Sequence, residues 1–278
     1  MTPVSPENAA TTTAWAPELA FSVEAAEAAG RALMDRYELL ERIEYKAPRD
    51  IVTEADHAAE ALILEAIRAG FPGDAILAEE SGEHQGDDGV AVGASRGRAW
   101  IVDPLDGTVN YANGIPFFCV SIGLVVDGRP TVGVIHDPSR GETYAAAVDG
   151  PATLDGRIVS VSAKERLSDF VVSLALGGRA VATRSRAVRR AVRIPRSMGS
   201  AALALAYVSN GRFDAFVQQG GLSAWDVAAA GLIAERAGAT VTAFDGGAWL
   251  DLERDPRQLG LVAAPPAHLE ALLALARG

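Results

Sequence analysis

The stretch Trp100-Ile-Val-Asp-Pro-Leu-Asp-Gly-Thr108 begins as an apolar run, the pattern of a buried strand, and ends as a turn. Pro104 lacks a backbone N–H and stops the ladder within it. Asp103 and Asp106 flank that stop, and Gly107 and Thr108 follow where a helix can start. Carboxylates supply hard oxygen ligands for a divalent cation. A helix start offers free N–H groups and the positive end of a dipole to an anion. Taken by its chemistry, the stretch is a place where a metal and a phosphate meet. Taken by propensity alone, it is a strand followed by an Asp-rich turn, since Asp, Pro and Gly all favour turns. The stretch by itself leaves both readings open.

The surrounding chain of 278 residues suits one large domain or two intimate lobes. Its hydrophobic share of 49% and charged share of 22% are those of an ordinary globular protein. A net charge of −11 argues against general nucleic-acid binding. It also means that a phosphorylated substrate needs cations to offset repulsion. The single cysteine, Cys119, lies in an apolar run over residues 117–126 and reads as core. It can form no disulfide within the chain, which suits a reducing compartment. Residues 1–15 are polar and Thr/Pro-rich, without the basic start and apolar centre of a signal peptide. No apolar run is long enough to span a membrane. These features predict a cytoplasmic protein with no membrane partner and a mobile tail over residues 1–16.

Leu19, Val23, Ala26, Gly30, Leu33, Tyr37 and Leu40 recur at steps of three and four, which predicts one long amphipathic helix. Residues 46–50 break it at Pro48. Thr53 followed by Asp56 is a capping-box pattern, with Asp where Glu or Gln is usual, and opens a second helix to about Ala69. A short apolar strand over residues 75–78 ends in Glu79 and Glu80. Residues 81–98 are polar and Gly-rich and read as a mobile loop. Strands are expected at 119–127, 131–135 and 142–148, the first two joined by a hairpin turn, and again at 157–162 and 170–176. Helices at 183–190 and 200–209, a strand at 213–217, a helix at 223–237, strands at 240–243 and 261–264 and a helix from Ala267 complete the chain. Long helices, then an antiparallel-looking sheet, then alternating elements predict layered α and β structure rather than a simple doubly wound sheet.

Four acidic points stand at element ends: Asp56, Glu79, the Asp103/Asp106 pair and Asp226. Element ends are where side chains converge on a cleft. Acids gathered there repel one another and must take up protons or find a cation. Two or three divalent ions would resolve the conflict and could polarise a phosphoryl oxygen and activate water. The plainer alternatives are that Asp56 is only a helix cap and that Asp226 is an early-helix acid favoured by the dipole. Glu80 and His57 are assigned to the surface, Trp225 to packing, and Asp50 to a turn or salt bridge.

Ile51-Val-Thr-Glu-Ala-Asp56, Ala78-Glu-Glu-Ser81, Trp100-Ile-Val-Asp-Pro-Leu-Asp-Gly-Thr-Val-Asn110 and Ala224-Trp-Asp-Val-Ala-Ala-Ala230 together resemble the inositol monophosphatase family, over about residues 17–275. The resemblance implies a layered α-β-α-β-α sandwich, with an N-terminal lobe to about residue 150 carrying most metal ligands and a C-terminal lobe over 151–278. It implies a Mg²⁺-dependent phosphomonoesterase, usually a homodimer and often lithium-sensitive. By motif, Glu79, Asp103 and the Leu105 carbonyl would bind one metal. Asp103, Asp106 and Asp226 would bind a second, and Glu79 would help hold a third. Asp56 and Thr108 would orient the attacking water, and Gly107 and Thr108 would hold phosphate through backbone N–H groups.

The catalytic set does not name the ester. By the same resemblance, Ala201 would give a backbone contact to a substrate hydroxyl. Gln219 stands where inositol phosphatases usually carry a Glu that binds inositol hydroxyls; an amide keeps hydrogen-bonding capacity without the charge. Myo-inositol 1-phosphate is the first expectation for the small phosphate ester. Histidinol phosphate, fructose 1,6-bisphosphate and a 3′-phosphonucleotide are the alternatives within the family. A protein- or RNA-binding role with secondary catalysis is the alternative in kind. Arginines 179, 184, 186, 189, 190, 193 and 196 read either as a solvated face or as a basic rim for an anionic substrate.

Overall fold

A computed structural model describes residues 13–39, 43–47, 50–86, 97–178, 181–252 and 257–278. Helix α1 (Ala16–Met34) opens behind Trp15, carries a proline in its first turn, and buries Ala25, Ala26, Ala29 and Leu33. It stops at Met34 rather than continuing to Leu40, because the chain turns at residues 35–38 and Glu38 takes a left-handed φ of 62°. Residues 13–14, expected in the tail, are tied down: the Thr13 hydroxyl and the Ala14 N–H donate to the Asp149 carboxylate. Strands β1 (Ile43–Ala47) and β2 (Asp50–Thr53) form an antiparallel pair where only a break was expected. Thr53 then caps α2 (Glu54–Gly70).

An eight-stranded sheet follows from β3 (Ala75–Ala78), β4 (Gly82–His84), β5 (Arg98–Asp106), β6 (Cys119–Val126), β7 (Arg129–Asp137), β8 (Glu142–Ala147), β9 (Thr153–Leu154) and β10 (Arg157–Ile158), with α3 (Thr108–Ala112) between β5 and β6. The strand order is β10-β9-β8-β7-β6-β5-β3-β4; β3 runs parallel to β5 and the other pairs are antiparallel. The loop expected over 81–98 contains β4, and its residues 87–96 lie outside the described residues. The strand expected over 157–162 ends at Ile158, since the Val161 N–H leaves the ladder to reach the Ala237 carbonyl.

The second half holds β11 (Val171–Ala175), α4 (Val181–Ala191), β12 (Ile194–Arg196), α5 (Ala201–Ala206), β13 (Ala215–Leu222), α6 (Ala224–Arg236), β14 (Thr240–Ala243), β15 (Leu259–Ala264) and α7 (Leu269–Arg277). Its five strands order as β12-β11-β13-β15-β14. The helix expected over 200–209 tightens after Ala206 into a 3₁₀ turn (Tyr207–Asn210).

Apolar cores fill the spaces between five layers. Leu33, Ile63 and Ile67 of α1 and α2 pack on Trp100, Val102, Ile122 and Val134 of the large sheet. Leu203, Val227 and Ile233 of α5 and α6 fill the space between Ile135 and Tyr144 of that sheet and Phe216 and Leu261 of the small one. Val188, Leu272 and Leu273 of α4 and α7 cover the far face of the small sheet at Val172, Val217 and Val262. The result is the expected α-β-α-β-α sandwich, each sheet burying both faces.

Two details position the functional end. β5 pairs Asp103 with Ser121 and then Asp106 with Cys119, so one extra residue is taken up around Pro104. In a regular strand residues three apart face opposite sides; the irregularity cancels that parity and lets both aspartates serve one side. α6 sits so close to the sheet that a Cβ on Gly133 would fall 2.6 Å from the Ala229 carbonyl oxygen, and one on Gly123 3.2 Å from Ala229 N. Glycine at these cross-strand neighbours seats α6, and with it Asp226 in its first turn.

Candidate active site

The first turns of α2 and α6 use the same local device. Asp56 accepts from the Thr53 N–H at 2.9 Å and the Thr53 hydroxyl at 2.6 Å, both on Oδ2. Asp226 accepts from the Ser223 N–H at 2.5 Å on Oδ2. Each is a capping box with Asp at the third helical position. What the caps leave over differs. Oδ1 of the fully buried Asp56 accepts from the Thr108 hydroxyl at 3.0 Å, while Asp226 turns to the end of β5. One oxygen of Asp56 thus serves the cap and the other faces Thr108.

At the end of β5, Oδ1 of Asp103 accepts from the Leu105 N–H at 3.0 Å. Oδ2 of Asp106 accepts from the Ser200 hydroxyl and the Ala202 N–H, both at 2.6 Å. Each acid thus has an oxygen held by the fold. Carboxylate oxygens of Asp103, Asp106 and Asp226 lie within 4.8 Å of one another. Glu79 follows β3, whose pairing with β5 is extended by the Glu79 N–H to the Val102 carbonyl at 3.1 Å. Glu79, Asp103, Leu105, Asp106, Gly107, Thr108 and Asp226 all line one cavity of about 320 Å³. Gly107 turns the chain into α3 with φ 100°, where a Cβ would sit 3.1 Å from the Phe117 carbonyl oxygen and 3.2 Å from Ser200 Cβ.

The charges in this cavity oppose each other. Burial pushes Asp103 well above the usual carboxylate range, and the negative charges of Glu79, Asp106 and Asp226 push it further. Asp226 is raised strongly by burial and by Asp106, against the Ser223 N–H and the more distant positive charge of Arg257. Asp106 and Asp56 are raised by burial, against the hydrogen bonds that hold them. A set of oxygen donors that raise one another's pKa is one that gains by taking in a multivalent cation. The donor set fits a hard divalent ion: carboxylates from Glu79, Asp103, Asp106 and Asp226 and the Leu105 carbonyl.

A second cavity of about 280 Å³ shares Asp106, Gly199, Gly221 and Asp226 with the first and continues along Ser173, Ala201 and Gln218. Here the structure departs from the expectation at Gln219. Its side chain does not line either cavity; Oε1 accepts from Arg184 Nη1 at 2.7 Å. Gln218 lines the second cavity as the last regularly paired residue of β13, and Gln219, in the irregular stretch that follows, turns to Arg184. Arg184 is itself buried and also donates to the Gly177 and Ala276 carbonyls, so one member of the arginine run is an internal clamp. Arg186, Arg189 and Arg190 are exposed, Arg193 pairs with Asp169, and Arg179 lies outside the described residues. Trp225, assigned to packing, packs beside Ala224 and also lines the acidic cavity. Ser200, Ser173, Gln218 and Arg257 were missed. Ser200, the cap of α5, carried a readable signal; Arg257 carried none.

The family model for the inositol monophosphatase family matches residues 14–278. An inositol-1-monophosphatase from Mesorhizobium japonicum is 40% identical over 235 residues, which is 81% of this chain and 85% of that one. The Nus factor SuhB of Salmonella typhimurium is 36% identical over 239 residues, 83% of this chain and 86% of that one. Among solved structures, an IMPase from Thermotoga maritima superposes with a TM-score of 0.82 at 31% identity, covering 94% of this chain and 97% of that one.

Proposed function

The chain belongs to the inositol monophosphatase family, a phosphatase family, and from that premise we propose a Mg²⁺-dependent phosphomonoesterase that hydrolyses a small phosphorylated polyol, with myo-inositol 1-phosphate as the first candidate. The observation that carries the reading is the meeting of Asp103, Asp106 and Asp226 within 4.8 Å at the wall of one cavity. Glu79, Asp103, Asp106, Asp226 and the Leu105 carbonyl would hold two to three ions, as oxygen ligands suited to Mg²⁺. When bound, such ions supply Lewis acidity toward the phosphoryl oxygens and ease deprotonation of water.

The chain's own residues do the rest in this reading. The Thr108 hydroxyl lies 3.0 Å from both Asp56 Oδ1 and the Leu105 carbonyl, and its single proton serves one at a time. With the carbonyl engaged elsewhere, the proton goes to Asp56 and leaves the Thr108 oxygen to accept from the attacking water. Asp56, raised by burial, is suited to take up that water's proton through Thr108. The water oxygen bonds to phosphorus, the ester P–O bond breaks, the leaving oxygen takes a proton from solvent water, and Asp56 gives its proton back to solvent. N–H groups at the start of α3, which the helix does not use itself, face the phosphate. A homodimer and sensitivity to Li⁺ belong to the same proposal.

The test is phosphate release with Mg²⁺ across myo-inositol 1-phosphate, fructose 1,6-bisphosphate, histidinol phosphate and a 3′-phosphonucleotide, ranked by kcat/KM. The expected result is release from all or several, with the inositol ester first. A different leader reassigns the ester and keeps the phosphatase. Release from none overturns the enzyme and favours a second reading, a partner role in transcription, which draws its support from the relatives named Nus factor SuhB. Mutually repelling acids, which a pure binding module has no use for, weigh toward catalysis.

A further inference from the structure

We propose that Gln218, and not Gln219, is the side chain on β13 that reads the alcohol part of the ester; the inference rests on the phosphatase reading above. Gln218 is the last residue of β13 in register with both neighbouring strands, the pairing with β15 is irregular beyond it, and the two amides have different surroundings. Phe216 and Gln218 face the second cavity, while Val217 belongs to the core under α4 and α7 and Gln219 turns to Arg184 of α4. Gln219 is also occupied. Its oxygen accepts from Arg184 at 2.7 Å, and that guanidinium is fixed by the Gly177 carbonyl at 2.6 Å and the Ala276 carbonyl at 3.3 Å. A Glu placed at 219 would meet the same guanidinium and form an ion pair with it, so restored charge there would stay out of the cavity.

Gln218 has capacity to spare. Its Nε2 donates to the Gly220 carbonyl at a long 3.3 Å, which leaves the amide oxygen and a second N–H for a ligand. The cavity it faces is charged only where Asp106 and Asp226 border the acidic end, among the described residues. Elsewhere its described lining is Ser173, Ser197, Ser200, the Ala201 turn and apolar surface, with no cation among these described residues. An amide and a hydroxyl suit a neutral group that both donates and accepts, such as a ring or chain carrying several hydroxyls. They do not suit a second phosphate.

The experiment compares the Mg²⁺-loaded wild type with Gln218→Met, Gln218→Asn, Gln219→Met and Gln219→Glu. It measures kcat/KM on myo-inositol 1-phosphate and on p-nitrophenyl phosphate, together with Tm. Gln218→Met keeps volume and removes hydrogen bonding. It should lower the ratio of polyol ester to p-nitrophenyl ester about tenfold, mainly through KM on the polyol ester, with Tm unchanged. Gln218→Asn should fall between. Gln219→Glu should leave the ratio within about twofold, and Gln219→Met should lower Tm because Arg184 loses an acceptor. A ratio that moves with Gln219 and not with Gln218 overturns the assignment while the phosphatase stands. A wild type inactive on both esters overturns the phosphatase reading itself, and the assignment with it.

Discussion

Glu142 on the large sheet and the acids gathered at the end of β5 are treated by the fold in opposite ways. Glu142, at the start of β8, meets the Arg212 fork through both oxygens and Arg140 beside it, and these hold its carboxyl down to about 2. Asp103, at the end of β5, has Glu79, Asp106 and Asp226 for neighbours and is pushed well upward. The first carboxylate is neutralised inside the chain and ties β8 to the turn before β13. Among the described residues, the second group gathers like charges at the wall of one cavity, with Arg257 in partial opposition. Paired acids build the scaffold; acids set against each other mark where a cation and a substrate enter.

The sharpest way to break this contrast is Asp106→Asn. Turnover should fall about a hundredfold to a thousandfold, with the fold intact; a loss of less than about tenfold, roughly 1.4 kcal/mol of barrier, removes the role. Next comes ligand removal. Mg²⁺ at about a hundred times its Kd should stabilise the wild type by about 2.7 kcal/mol, a Tm rise of roughly 5–10 °C. EDTA should reverse it, Asp106→Asn should lose most of it, and Glu142→Gln should keep it; calorimetry on the three proteins decides. Smaller again, Glu142→Gln should lower Tm by roughly 1–4 °C while kcat/KM stays within about twofold.

The pH dependence separates the two groups by sign. Glu142 is depressed in the fold, so its contribution is full above the unfolded value of about 4.3 and is lost as pH falls toward about 2. The Tm difference between wild type and Glu142→Gln should therefore shrink across that window. Asp103 and Asp226 are raised, so their effect runs the other way: the metal-free fold is best served below about pH 4 and loses stability as pH rises. Melting curves in EDTA from pH 3 to pH 7, with and without Asp103→Asn, measure it; a variant no more stable than wild type at pH 7 would contradict the repulsion. The smallest expected effects are Thr53→Ala and Ser223→Ala, about 1 kcal/mol each from the lost caps. Thr53→Ala should also slow turnover, since Asp56 loses the hydroxyl that steadies it.

Much of the molecule was legible before any coordinates. Apolar periodicity located α1, α2 and the strands from β5 to β8, and the Thr53/Asp56 pattern marked a cap that is present. The motif around Pro104 announced chemistry, although it could not say that Asp103 and Asp106 share a side. The misses lie where local signals are weak or misleading. β1 and β2 are five and four residues long, too short for their apolar pattern to stand out, and Arg257 sits in a stretch with no pattern. Gln219 is picked out by its position relative to Asp226 along the chain, whereas its side chain follows the irregular end of β13 and the pull of Arg184.

Sequence by itself determined the local conformations: Pro104 ends a ladder because it has no N–H, Gly107 admits a positive φ, and Thr53 and Ser223 start helices because their first turns need acceptors. Only the tertiary structure decided which acids meet and which are paired off. Asp226 reaches Asp103 because α6 rests against the bare backbone of Gly123 and Gly133, and Gln219 is turned away because Arg184 waits on the other face of β13. Electrostatic interaction falls off with distance through space, not along the chain, so the same carboxylate is a cap, a strut or a ligand according to what packing brings within a few ångströms of it.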